Sequence, residues 1–173
     1  MSVRNRVRLR VMVTTDAEAI LKIYEEGIQT GHATFEAEVP DWHKWDSGHL
    51  TQCRWVAEGG DIVLGWGAFK QVSPRKVYSG VGDVSIYVSE TAKNQGIGSI
   101  LLKSLIISSE ESAFWTLQIQ VFPENKISIH VHEKHDFRKS GTRRQLALIS
   151  YGSMAGEWID PVLMERRSKI ARI

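Results

Sequence analysis

The 173 residues carry 22 lysines and arginines against 20 aspartates and glutamates, a formal charge of +2, and 42% of them are hydrophobic. That is enough apolar material for one well-filled domain, and too balanced a charge to make nucleic acid or an anionic membrane the main partner. No run approaches the roughly 18 apolar residues of a membrane span, the first residues lack the apolar stretch of a secretory leader, and the single cysteine, Cys53, excludes an internal disulfide and is a poor metal ligand, so a cytoplasmic protein is expected.

Val7, Leu9, Val11 and Val13 alternate with basic or polar residues, the period of a half-buried strand. Thr15 and Glu18 then have the spacing of a capping box, and Ile20, Leu21, Tyr24 and Ile28 follow helical spacing. After a loop through Thr34, Phe35 and Glu36, the chain predicts a short helix over 40–50 and strands over 54–58 and 62–69, joined as a hairpin by Gly59, Gly60 and Asp61. Residues 81–88 alternate again, with Asp83, Ser85 and Tyr87 on one face and Val84, Ile86 and Val88 on the other. A glycine loop leads into a helix marked by Ile97, Ile100, Leu101 and Leu105; a strand over 116–122, a helix over 125–135, and strands from Phe137 onward and over 158–165 complete the chain. Basic runs at 4–10, 138–144 and 165–172 read as solvated faces and tails. Strands alternating with helices around an antiparallel hairpin argue for a mixed α/β sheet with helices on both faces, in a single domain over 1–173 whose core runs from about 7 to 168.

Two features carry chemistry. Backbone N–H groups at a helix start have no intrahelical partner, and glycines let an anion approach them, so Gly96-x-Gly98 reads either as a phosphate cradle, with Lys93 adding charge, or as close helix–strand packing. The loop lacks the Lys-Ser/Thr ending of a nucleoside-triphosphate loop and the third glycine of a dinucleotide fingerprint, which disfavours ATP and NAD. Asp83 places a carboxylate in a strand that otherwise looks buried, as a hydrogen-bonded structural acid or as a proton acceptor.

The run Lys93-x-x-Gly96-x-Gly98 resembles the pyrophosphate-binding Arg/Gln-x-x-Gly-x-Gly/Ala motif of Gcn5-related N-acetyltransferases (GNAT), and sits after the matching strand. Within that superfamily the likeness is to the phosphinothricin and methionine sulfoximine acetyltransferase group. It is carried by Ala33-Thr34-Phe35-Glu36, Arg75-x-x-Tyr78, Asp83-x-Ser85-Ile86-Tyr87-Val88, Asn125-x-x-Ser128 leading to His132-Glu133, and Trp158-x-Asp160. The resemblance implies a mostly antiparallel sheet with a splayed central strand pair, acetyl-CoA as co-substrate, no metal, a small-molecule amine or amino-acid acceptor, and a homodimer. It places the pyrophosphate on the loop of Lys93, Asn94, Gln95, Gly96, Ile97, Gly98 and Ser99, and the pantetheine arm along Val84, Ser85, Ile86, Tyr87 and Val88 with help from Asn125 and Ser128. Asp83 stands where the family has a glutamate base and, being shorter, is expected to work through a water; His132 stands where relatives have a general acid. Phe35, Glu36, Arg75 and Tyr78 would bind the acceptor, Arg75 as a fork for its carboxylate and Phe35 as an apolar wall.

Three departures stand out. Asn94 and Asp136 replace glycines, which fits residues that visit the left-handed region, and 146–157 replaces a compact Gly-Tyr-Lys-x-Gly-x-Trp turn, which implies a remodelled acceptor pocket. Within enzymes, a peptide N-terminus, polyamine or aminoglycoside is the alternative acceptor. From another class, the Glu-to-Asp change admits a non-catalytic acyl-CoA binding module.

Overall fold

In the computed structural model, which describes residues 7–171, the main sheet has the order β1 (Arg8–Val11), β2 (Trp55–Gly59), β3 (Ile62–Gln71), β4 (Val81–Val88), β5 (Thr116–Val121), β9 (Val162–Arg167), β6 (Arg138–Thr142). Every neighbouring pair in it is antiparallel except β4 and β5, which are parallel and joined through the long helix α3 (Ile97–Glu111). β7 (Ala147–Leu148) and β8 (Trp158–Ile159) make a small separate ribbon. The predicted hairpin closes on a two-residue turn, with Gly59 opposite Ile62.

Strand alternation assigns the two faces. Trp66 and Ala68 of β3 and Val56 of β2 meet Ile20, Ile23, Tyr24 and Ile28 of α1 (Ala17–Gln29) and Trp45 of α2 (Trp42–Gly48). On the opposite face Phe69 of β3, Val84 of β4, Leu117 and Val121 of β5 and Met164 of β9 pack under Leu102, Leu105 and Ile106 of α3 and Ile129 of α4 (Lys126–Glu133). Helices thus cover both faces. α3 lies unusually close to β3 because Gly65 and Gly67 face it: a Cβ on Gly67 would stand 2.9 Å from Leu105 Cδ1, and one on Gly65 3.2 Å from Leu101 Cδ1.

The structure corrects several local expectations. Residues 14–16 form a 3₁₀ turn, and the acid that receives the Val13 amide (2.8 Å) is Asp16, not a Thr15–Glu18 box. Arg10 forks onto both oxygens of Asp16 (2.8 Å each) and onto Glu58 (2.6 Å), so this member of the first basic run is a structural cation linking β1, β2 and the start of α1. Arg4, Arg6 and Arg172 of the basic runs lie outside the described residues. The run 158–165 is two strands in different sheets, because Asp160-Pro161 breaks it; Asp160 accepts the Gln145 amide at 2.7 Å, a structural role. Cys53 is half-buried in a left-handed conformation (φ 59°).

His49 is buried at the end of α2, stacked on Trp45 (4.1 Å between centroids) and edge-on to Trp66, with its Nδ1–H donating to the Trp45 carbonyl at 2.7 Å. Burial pushes it from 6.5 down to about 4. His132 is pushed to about 4 for the same reason. Between those values the unfolded chain holds protons that the folded protein refuses, so stability is full above pH 6.5 and declines as pH falls toward 4. Urea unfolding is expected to lose up to about 1.4 kcal/mol per pH unit for each of the two histidines across this window, and His49→Gln is expected to make that slope shallower; an unchanged slope in the variant refutes the assignment.

Candidate active site

β4 and β5 stay paired for only three residues, Val81 with Thr116, Gly82 with Leu117 and Asp83 with Gln118, and then part. β4 nevertheless remains paired with β3 up to Val88, and β5 with β9 up to Val121. The result is a fork opening toward the C-terminal ends of both strands. Ser89 N–H donates to Leu64 on the β3 side (2.8 Å), whereas Gly80 C=O accepts from Trp115 and Thr116 on the β5 side (2.8 and 3.1 Å), and strand alternation between those marks turns the backbone of Val84, Ile86 and Val88 into the fork. Ser85 and Tyr87 turn theirs toward β3. They offer side chains on the α1 face instead.

Beyond the end of β4, a 3₁₀ turn over Glu90–Ala92 carries Lys93, which is ion-paired to Glu90. Asn94 follows in the left-handed region (φ 60°), as its replacement of a glycine predicts, and Gln95 Nε2 donates to Thr91 C=O at 3.1 Å. Gly96, also left-handed (φ 80°), turns the chain into α3 without capping it by a side chain. The first helical bond runs from Ile100 N–H to Gly96 C=O (3.1 Å), leaving the amides of Ile97, Gly98 and Ser99 without intrahelical partners at the positive end of a 15-residue helix. An open strand edge and a row of free amides in line with it fit an amide-bearing arm that ends in a pyrophosphate.

Asp83 stands at the crotch of the fork on the α1 face. Its carboxylate accepts from Gln118 Nε2 at 3.1 Å, and burial raises its pKa from the ordinary value, only partly offset by that bond and by the charge of Lys70. Two residues further along β5 on the same face, Gln120 has a buried Oε1 with no partner among the described residues. The segment 33–36 is held by three tyrosines: Tyr24 OH lies 3.2 Å from Thr34 Oγ1, Tyr87 OH donates to Ala33 C=O (3.3 Å), and Tyr151 OH donates to Thr34 C=O. Phe35 then packs against Phe122, just after β5, with the rings tilted by 40° and their centroids 4.7 Å apart. The segment therefore reaches from Tyr87 of β4 to the end of β5, across the mouth of the fork. Phe35 keeps 40% of its surface exposed, which leaves a face of the ring open. Glu36 beside it is exposed, and its charge bears on Tyr24 and Tyr151. Arg75 and Tyr78 share the 3₁₀ turn that enters β4, both exposed, and neither side chain hydrogen-bonds within the described residues.

Asn125 caps α4 by accepting the Ser128 amide at 3.1 Å. His132 is buried on that helix, 3% exposed. Its Nδ1–H donates to Ser128 C=O (2.8 Å), its ring meets Phe137 edge-on, and its Nε2 is buried without a partner. In that tautomer Nε2 is an acceptor. Ser128 Oγ lies 3.5 Å from the same Nδ1.

Residues 17–137 match the model of the acetyltransferase (GNAT) family. The chain belongs to this family. It is an acetyl-CoA-dependent N-acetyltransferase, and acetyl-CoA is its co-substrate. It is 31% identical to a phosphinothricin N-acetyltransferase of Alcaligenes faecalis over 91% of this chain and 81% of that protein. It is 28% identical to the L-amino acid N-acetyltransferase AaaT of Escherichia coli over 94% of this chain and 98% of that one. Among solved structures, a phosphinothricin acetyltransferase of Sinorhizobium meliloti in complex with acetyl-CoA superposes with a TM-score of 0.81, at 25% identity over 93% of this chain and 88% of that one.

Gln118, Gln120, Tyr24 and Tyr151 escaped the motif reading. Gln118 and Gln120 carried a signal, since they alternate with Leu117, Ile119 and Val121 on the strand that must lie beside Asp83. Gly96 offers a test of the loop's expected part in cofactor binding, because a Cβ there meets nothing within 4 Å and only the left-handed φ opposes it. Gly96→Ala is expected to cost about 1 kcal/mol in thermal unfolding and to raise the acetyl-CoA KM by more than it lowers kcat. An unchanged KM removes the loop from cofactor binding.

Proposed function

We propose that this acetyltransferase transfers the acetyl group to the primary amine of a small amino acid or amino-acid analogue, of the phosphinothricin or methionine sulfoximine type. The observation that carries the reading is the end of β4–β5 pairing at Asp83 and Gln118, which stands a half-buried carboxylate at the base of an open strand fork whose other end leads to the free amides of α3. The amino-acid relatives support the acceptor class.

In this reading the loop from Lys93 to Ser99 holds the pyrophosphate, Val84, Ile86 and Val88 pair with the pantetheine amides through their backbone, and Asn125 and Ser128 flank the arm. Phe35 and Glu36 roof the acceptor, while Arg75 and Tyr78 receive its acidic end. An ammonium cannot attack, so Asp83 takes a proton from it, directly or through one water, and burial makes Asp83 a better acceptor than an exposed aspartate. The amine nitrogen then bonds to the thioester carbonyl carbon, and as the tetrahedral intermediate collapses the C–S bond breaks and the nitrogen gives up its second proton. His132, whose Nδ1–H is held by the Ser128 carbonyl, takes that proton on its bare Nε2 and hands it to the departing sulfur, so that CoA leaves as the thiol. A homodimer completes the reading, supported by apolar Leu146, Leu148 and Trp158, which lie exposed on and beside the β7–β8 ribbon. The lone thiol of Cys53 suits a cytoplasmic, reducing setting.

The test follows CoA release with a thiol reagent over free amino acids, phosphinothricin, methionine sulfoximine, polyamines and aminoglycosides. Turnover of anionic amino acids that falls by about 100-fold or more in Asp83→Ala is expected. Because the base must be ionised and its pKa is raised, the acidic limb of kcat/KM is expected above the ordinary aspartate range, and absent in the variant. Full activity of Asp83→Asn refutes the base, and turnover confined to polyamines or aminoglycosides refutes the acceptor class.

A further inference from the structure

One titratable pair outside the transfer chemistry touches the cofactor loop. Ser99 is the third residue of α3, one of the three with a free amide, and its Oγ lies 2.7 Å from Nε2 of His135. His135 is fixed there by the turn that ends α4: its own N–H donates to His132 C=O (3.0 Å), as does that of Phe137 (3.1 Å), with Asp136 between them in the left-handed region (φ 65°). A helix end on the far side of the fork thus holds a ring against the first turn of α3.

We infer that His135 is a positioning residue for the cofactor, aiming the Ser99 hydroxyl at the pyrophosphate of acetyl-CoA and taking up a proton as that anion binds. The inference rests on the acetyltransferase reading and adds to it a residue that no motif marked. A hydroxyl has one proton to donate. Facing a neutral ring with a bare Nε2, Ser99 donates inward to His135; facing a phosphate oxygen it donates outward, and the ring must then supply Nε2–H to the hydroxyl oxygen, which a ring that keeps its Nδ1–H does by taking up a proton. The charged groups around the ring set the balance. Partial burial opposes a positive ring most, followed by Lys103, one turn along α3 from Ser99, and then by Arg166 on β9 and the adjacent Lys134, while Asp136 favours one. The free protein therefore keeps His135 neutral more readily than an exposed histidine. A pyrophosphate at the α3 amides adds two negative charges on the far side of Ser99 and reverses the sign of the local field. Binding then takes up a proton, and affinity weakens as pH rises through the range in which the complexed ring titrates.

The experiment is calorimetric titration of the full chain with CoA and with dephospho-CoA, between pH 6 and 8, in buffers of different ionisation enthalpy. Expected is proton uptake with both ligands, affinity changing by up to about tenfold per pH unit, and loss of the uptake in His135→Gln and in Ser99→Ala. In steady-state assays His135→Gln is expected to raise the acetyl-CoA KM by more than it lowers kcat, and the KM is expected to become nearly independent of pH. Uptake that persists in His135→Gln overturns the inference. So does uptake seen with CoA but not with dephospho-CoA, since the anion would then be the 3′-phosphate. Failure of the unsubstituted protein to bind CoA at all is a different result: it removes the acetyltransferase reading on which the inference stands.

Discussion

A sheet cannot leave backbone N–H and C=O groups unpaired in its middle without water or a ligand to receive them, and that constraint organises this molecule. β4 keeps seven paired residues with β3, and β5 keeps six with β9, but the two share only three with each other. Each arm of the fork is therefore held by its outer neighbour and does not depend on the central pairing. Helices beneath support both arms: Ile86 and Val88 pack with Ile97 and Leu101 of α3, and Leu117 and Val121 share a cluster with Leu102, Leu105 and Ile106 of α3, Ile129 of α4 and Phe137. The exposed strand edge is stable enough to persist, and its hydrogen-bonding capacity is available to a chain-like ligand carrying amides of its own.

The same fork gives the proposed base its surroundings. Asp83 sits at the last paired position, far enough inside for burial to disfavour its charge and near enough to the opening to meet an amine. Its nearest partner is an amide, Gln118. An arginine or lysine there would stabilise the carboxylate and lower its appetite for a proton, as Arg10 does for Asp16 near the other edge of the sheet. The contrast between the two aspartates is instructive: both accept side-chain hydrogen bonds, yet the one facing a guanidinium is a structural anion with a lowered pKa, and the one facing a carboxamide is raised.

Elements governed by local periodicity were legible in the sequence. β4 runs over 81–88 as its alternation predicts, the hairpin turns where Gly59-Gly60-Asp61 indicates, and Asn94 and Asp136 take the left-handed conformations inferred from their replacement of glycine. What was not legible depends on residues distant in the chain. Asp16, not Thr15, receives the amide at the start of α1 because Arg10, itself shared with Glu58, orients its carboxylate. The burial of His132 depends on Phe137, which folds back edge-on against its ring after the end of α4. The support for 33–36 comes from residues 24, 87 and 151, and no local pattern joins them.

In the proposed reading, the two halves of the site differ in how much sequence they require. The cofactor half is made of backbone, a strand edge and a helix start, and needs little from side chains beyond the left-handed turns at Asn94 and Gly96. The acceptor half is made of side chains on segments that do not belong to the sheet. Tyr151, which fastens the Thr34 carbonyl, comes from the stretch that departs most from the resembling acetyltransferases, and that stretch is anchored by its own small core of Phe122, Ile149 and Ile159. Phe122 is also the ring against which Phe35 packs, so a change in 146–157 reaches the acceptor wall through two paths, Tyr151 to Thr34 and Ile149 to Phe122 to Phe35. On the proposed reading, the acetyl donor is held by the sheet and the start of α3, whereas the acceptor is selected by segments outside the main sheet, 33–36 and the 146–157 stretch that fastens it.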